Sequence, residues 1–167
     1  MRSNDHIKKL TLSAAVCALT FAATFISVPA PFFGNVNVGD SVLLLGVWLL
    51  GGPWSIVAAA VGAALCDLTG AYAVYAPATL IIKAGMAAIA LLIKKLTSHR
   101  SLPLQRILSG LGAEAVMILG YFLYEAFFLQ LGVEAAMLNA PFNCVQGTVS
   151  IAAFYVIHAL LSKHKMN

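Results

Sequence analysis

The stretch GAYAVYAPATLIIKAGMAAIALLIKK, residues 70–95, places a lysine, Lys83, inside a run that from Pro77 to Ile93 is otherwise apolar except for Thr79. The run ends at Lys94 and Lys95, where a helix would meet water without difficulty. If Pro77 opens the helix, Lys83 lies roughly 9 Å inside it at the helical rise. An unpaired ammonium at that depth costs several kcal/mol, so Lys83 needs a carboxylate, water or a ligand beside it.

Composition assigns the run to a membrane. A chain of 167 residues that is 61% hydrophobic and 10% charged, with mean hydropathy +0.92, cannot clothe a soluble domain in polar surface. It reads as an all-α integral membrane bundle. Residues 1–167 form one unit, because no Ser-rich, Pro-rich or charged stretch longer than about ten residues offers a linker. A helix needs about 20 apolar residues to cross roughly 30 Å of hydrocarbon. Residues 10–28, 77–96, 104–131 and 139–161 meet that length. A longer run, 39–68, is broken by Gly51-Gly52-Pro53 into helices at 39–50 and 53–68. The expectation is six transmembrane helices, the second short, at about 12 residues or roughly 18 Å.

Charge orients the bundle. Of the ten Lys and Arg residues, Arg2, Lys8, Lys9, Lys94, Lys95, Arg100, Arg106, Lys163 and Lys165 fall on one side, which the positive-inside rule makes cytoplasmic. Both termini are then cytoplasmic and the chain is a multi-pass protein of the cell membrane. The opposite loops, near 29–38, 69–76 and 132–138, carry no Lys or Arg. Trp48 and Trp54 read as anchors at the inner interface, Tyr72 and Tyr75 as anchors at the outer one. The net charge of +4 follows this end-of-segment pattern and not a basic face, which excludes nucleic acid as a partner. Cys17, Cys66 and Cys144 are odd in number and lack metal-ligand spacing, so they read as small core residues. The first segment also resembles a secretory signal, but its apolar stretch is longer than a signal core and Pro31 would follow the cut.

With the cytoplasmic bases set aside, the remaining polar groups gather at one depth. Asp67 closes the third helix, Asp40 opens the second, and Glu125 lies in the last third of the fifth. Tyr121 and Glu125 are spaced i, i+4 and share a helix face. Asn143 and Gln146, three apart, share a face of the sixth helix within roughly 10 Å of its outer end. Glu114 lies deeper, about 15 Å from the cytoplasmic end of its helix, and suits packing better than ligand contact. These groups fit an outward-facing pocket for a small, flat, polar molecule, with Lys83 held charged by Asp67 or Glu125. Lys83 with Asp67 also reads as a purely structural ion pair, the two amides as helix ties and Tyr121 as an interfacial aromatic. On the first helix Ala14, Ala18 and Ala22 repeat every fourth residue, which admits close approach by another helix, either within the bundle or from a partner. No nucleophile signature accompanies His6, His99, His158 or His164, and GxxxxGK[ST] is absent. The chain reads as no enzyme, with no cofactor and no metal.

The segments NVNVGDSVLLLGVWLLGGPWSIVAAAVGAALCDLTGAYAVYAPATLIIKAGMAA, GYFLYEAFFL and APFNCVQG together resemble the S components, the substrate-binding membrane subunits, of energy-coupling factor (ECF) vitamin transporters, over residues 7–162. The likeness is nearest to the riboflavin, hydroxymethylpyrimidine and pyridoxine-type group. It implies capture of a vitamin from outside the cell, association with a transmembrane energising subunit and two cytoplasmic ATPase subunits, and toppling in the lipid bilayer to deliver the ligand. It also implies that Ala14, Ala18 and Ala22 meet the energising subunit. The family's polar positions correspond to Asp67, Tyr75, Thr79, Lys83, Glu125, Asn143 and Gln146. A hydroxymethylpyrimidine-like or pyridoxine-like heteroaromatic is the expected ligand, and riboflavin the alternative. A self-sufficient ion-coupled permease, its intramembrane carboxylates relaying protons, and a non-transporting scaffold are the rival classes.

Overall fold

The computed structural model describes residues 2–30 and 35–164; Met1, loop residues 31–34, residues 165–167 and the side chains of Arg2, Ser3, Asn4 and His164 lie outside the described residues. Among the described residues, six α-helices follow one another: α1 Arg2–Phe25, α2 Gly39–Leu50, α3 Gly52–Thr69, α4 Ala76–Leu96, α5 Leu102–Leu123 and α6 Val133–His164. Asp5–Phe25, Gly52–Thr69, Ala73–Leu96, Leu102–Phe128 and Val133–Lys163 are long and apolar enough to cross a membrane, and Gly39–Leu50 is shorter. The outer surface of the bundle is largely apolar, and several charged side chains are buried within it. Ile81 is 73% and Phe128 78% exposed, whereas Asp40, Lys83, Glu114 and Glu125 are all buried. Lipid solvates the former freely and the latter not at all.

Several boundaries differ from the sequence reading, each for a physical reason. α1 starts at Arg2, not at residue 10, because Asp5 sits favourably in its first turn and no Gly or Pro interrupts the polar start. Apolar length measures the membrane span and not the helix. α1 also ends early, at Phe25, and Ser27–Pro29 (β1) pairs antiparallel with Asn35–Asn37 (β2), with Val28 opposite Val36. Three-residue strands are too short to show alternation in sequence, so the sequence reading leaves Ser27 and Val28 in the first helix and 29–38 in a loop. α6 begins at Val133, not at 139: Gln130 and Gly132, with φ of 55° and 87°, turn the chain quickly, and Pro141 then falls inside the helix. The α-helical part of α5 stops at Leu123, followed by a π-helical turn over Tyr124–Phe128. There the Leu129 N–H donates to the Tyr124 carbonyl at 2.9 Å, five residues back.

The α2–α3 turn depends on backbone conformation. Gly51 and Gly52 have φ of 62° and 66°, and nothing lies within 4 Å of an added Cβ at either. Their left-handed backbone, not lack of space, favours glycine. At the α1–α3 contact the reverse holds: a Cβ on Gly62 would lie 2.4 Å from the Cys17 carbonyl oxygen. α1 meets the bundle through Ser13, Val16, Thr20 and Thr24, which are buried. Ala14, Ala18 and Ala22 are exposed, so they do not serve packing within the chain.

Two readings of interior and interface need correction. Cys66 is buried and Cys17 half-buried, but Cys144 is exposed, since a small apolar side chain is equally at home on a lipid-facing surface. Tyr75, expected at the interface, is 8% exposed. Trp48 is half-buried, its ring 5.0 Å from that of His158 and 6.0 Å from that of Phe154, with Lys94 Nζ 4.7 Å from its centroid. Trp54 is 40% exposed.

The Gly62 geometry makes a prediction. Replacing Gly62 with Val forces α1 and α3 apart, at a cost of about 1–3 kcal/mol for overpacking. Thermal unfolding of the detergent-purified variant should show a lowered midpoint; an unchanged midpoint would refute the close approach.

Candidate functional site

α1, α3 and α5 end, and α2, α4 and α6 begin, at the end of the bundle that carries the β-ribbon. Their polar residues meet there. Asp67, Tyr75, Thr79, Lys83, Tyr121, Glu125, Asn143 and Gln146, all eight of the positions read as candidate ligand contacts, border one recess of about 510 Å³ including its open mouth. Thr24 on α1 and Asn35 and Asn37 on β2 also border it and were not singled out in the sequence. Below it the interior turns apolar, with Leu43, Leu44, Val47, Met86, Met117 and Phe154 fully buried.

Lys83 is not paired as expected. Its Nζ donates to Asp40 Oδ1 at 2.5 Å, and the two side chains are 4% and 1% exposed. The second oxygen, Asp40 Oδ2, accepts from Gln146 Nε2 at 2.7 Å, and Gln146 Oε1 accepts from the Asn37 backbone N–H at 3.0 Å. Lys83, Asp40, Gln146 and Asn37 therefore form one chain of contacts across α4, α2, α6 and β2. Asp40 is the residue that sequence reasoning placed near the site without giving it a role. Its signal was an acid directly after Gly39 at the start of a helix that is apolar from Val42 onward, but choosing it over Asp67 and Glu125 required the packing of α2 against α4.

Asp67 and Glu125 have other partners. Thr79 Oγ1 donates to Asp67 Oδ2 at 2.5 Å and lies 3.0 Å from the Tyr121 hydroxyl. With the threonine proton committed to Asp67, the tyrosine is the donor in the second contact. Glu125 Oε1 accepts from Tyr75 OH at 3.3 Å and from Asn139 Nδ2 at 3.0 Å. Tyr75 and Tyr121 set their rings 6.2 Å apart and Tyr72 stands edge-on to Tyr75 at 6.3 Å, making an aromatic wall. Lys83 Nζ lies 5.5 Å from the Tyr121 centroid. Glu114 stays outside the recess, as its depth suggested. It is 3% exposed, and neither carboxylate oxygen has a hydrogen-bond partner among the described residues. No group of His, Cys, Asp and Glu suited to a metal ion occurs among the described residues.

Comparison with known proteins gives the family of the chain. Residues 4–163 match the family model described as ECF-type riboflavin transporter, S component. The chain belongs to this family. As an S component it is a multi-pass membrane protein, a vitamin-specific substrate-binding subunit of a transporter that works with energising and ATPase modules, and not an enzyme. Among solved structures, the S component of a bacterial ECF transporter is similar in fold at 19% identity and a TM-score of 0.72, covering 97% of this chain and 99% of that one. No curated protein matches the chain.

Lys83→Met should leave Asp40 buried beside Gln146 alone, a loss of about 3–5 kcal/mol for breaking a buried pair. Adding Asp40→Asn should recover most of the thermal stability of this S component, whereas adding Asp67→Asn should not. Recovery with Asp67→Asn in place of Asp40→Asn would show that Lys83 pairs with the wrong carboxylate here.

Proposed function

We propose that this S component captures a small vitamin or vitamin precursor from outside the cell for an ATP-driven ECF importer. Residues 1–167 act as one membrane domain with both termini cytoplasmic. The observation that carries the reading is the gathering of polar side chains from α3, α4, α5 and α6 around one recess, at the end of the bundle opposite Lys94, Lys95, Arg100 and Arg106. The positive-inside rule makes that recess face outward. Asp67, Tyr75, Thr79, Lys83, Tyr121, Glu125, Asn143 and Gln146 bind the ligand, a hydroxymethylpyrimidine-like or pyridoxine-like heteroaromatic held against the tyrosines. Riboflavin is the second reading, favoured by the name of the matched family.

The partners are a transmembrane energising subunit and two cytoplasmic ATPase subunits. Ala14, Ala18 and Ala22 support the first contact, because they stand exposed on the face of α1 turned away from its own bundle and small side chains admit a second helix closely.

Mass spectrometry of the molecule that co-purifies with the protein tests the function directly, and uptake should vanish without the ATPase subunits. Uptake by the S component alone would favour an ion-coupled permease. Ala14→Leu or Ala18→Leu should abolish uptake and leave ligand affinity within about twofold; parallel loss of both would place those alanines in ligand binding. A cysteine introduced at Asn4 or Asn167, in a background lacking Cys17, Cys66 and Cys144, should resist an impermeant thiol reagent applied to intact cells. Labelling there would invert the orientation.

A further inference from the structure

We infer that the recess selects an unphosphorylated, amino-substituted nitrogen heteroaromatic, which donates one hydrogen bond to Glu125 and another to Asp67. The inference rests on the vitamin-capture reading above and adds the chemistry of the ligand. Its basis is an account of which polar atoms around the recess are already engaged.

The acceptors of the central network are filled, while Lys83 and Gln146 keep N–H donors for a ligand. Both Asp40 oxygens are taken, by Lys83 and Gln146, and the Gln146 carbonyl is taken by Asn37. The charge of Lys83 is therefore balanced within the protein and is not available to neutralise an anionic ligand. Glu125 is different. It is 2% exposed and its Oε1 accepts two hydrogen bonds, yet its Oε2 is buried with no partner among the described residues. A buried acceptor left unmade is costly, and a donor brought by a ligand removes that cost. Asp67, 8% exposed, has only Oδ2 engaged among the described residues, by Thr79. Each carboxylate bordering the recess thus has one oxygen without a hydrogen bond among the described residues; that of Glu125 is covered and meets a ligand once the carboxylate turns into the recess.

Charge points the same way. With Lys83 cancelled by Asp40, the formal charges still uncompensated at the recess are those of Asp67 and Glu125, both acidic. Tyr75 and Tyr121 add aromatic faces, whose quadrupole attracts cationic and electron-poor rings. A ring bearing an amino group, with a protonated nitrogen, supplies both N–H donors and positive charge. A ring carbonyl in the same place would turn a lone pair towards a carboxylate, and a phosphate ester would bring like charge into a buried acidic recess.

Calorimetric titration of ligand-free protein in detergent tests this with a matched pair: the amino-bearing hydroxymethylpyrimidine, and the oxo analogue in which a ring carbonyl replaces the amino group. The amino compound should bind roughly ten- to a hundredfold more tightly, the margin of one charge-assisted hydrogen bond. Its phosphate ester should bind at least tenfold more weakly than the free alcohol. Glu125→Gln should narrow or reverse the amino-over-oxo preference, because the new amide can donate to a carbonyl; Asp67→Asn provides an independent second variant. Equal affinity for the pair, or a preference unchanged in both variants, overturns the inference. Tight binding of riboflavin without binding of the amino compound also overturns it, yet leaves vitamin capture intact, whereas ATPase-independent uptake would defeat that broader reading and not the ligand chemistry.

Discussion

Asp40 holds together parts of the chain that are far apart in sequence. Its carboxylate receives Lys83 from α4 and Gln146 from α6, and Gln146 receives β2 in turn. A buried ion pair contributes little net stability relative to an apolar substitute, because the desolvation of both ions offsets their attraction. Its effect here is positional. α2 is too short to be fixed by membrane span alone, and the contact between Asp40 and Lys83 sets where its ribbon end stands against α4. The recess walls inherit their spacing from that contact.

The surrounding solvent explains why such a network can exist. Apolar side chains gain nothing by leaving lipid, so helix association relies on close approach and on polar contacts that cannot be made to lipid. Both are present. Gly62 lets α3 lie directly on the backbone of α1 near Cys17, and alanine is frequent among the buried apolar residues. The polar contacts concentrate where several helix ends converge, which is also where water and ligand can enter.

Much of this was legible before the structure. Helix number, the short second helix and the Gly-Gly-Pro turn followed from apolar run lengths and punctuation. Helical rise brought Asp67, Lys83, Tyr121, Glu125, Asn143 and Gln146 to one depth, the family resemblance added Tyr75 and Thr79, and all eight border one recess. What sequence could not give was pairing. Depth ranks Asp40, Asp67 and Glu125 alike as partners for Lys83, and only the azimuth of each helix separates them. The β-ribbon escaped because three residue pairs leave no pattern, and the true start of α6 because hydropathy windows ignore Gln130 and Gly132, where the chain reverses. Cys144 shows the same limit in another form, since polarity does not distinguish an interior from a lipid-facing surface.

The ribbon over the recess has only three residue pairs, and a two-stranded ribbon of that size is marginal by itself. Its ordering is borrowed from α6 through the bond between Asn37 and Gln146. The cover of the recess and the counter-charge of its lysine consequently meet in one glutamine side chain. The atoms that hold the ribbon and the atoms that border the recess are therefore partly the same, so a change at Gln146 disturbs both.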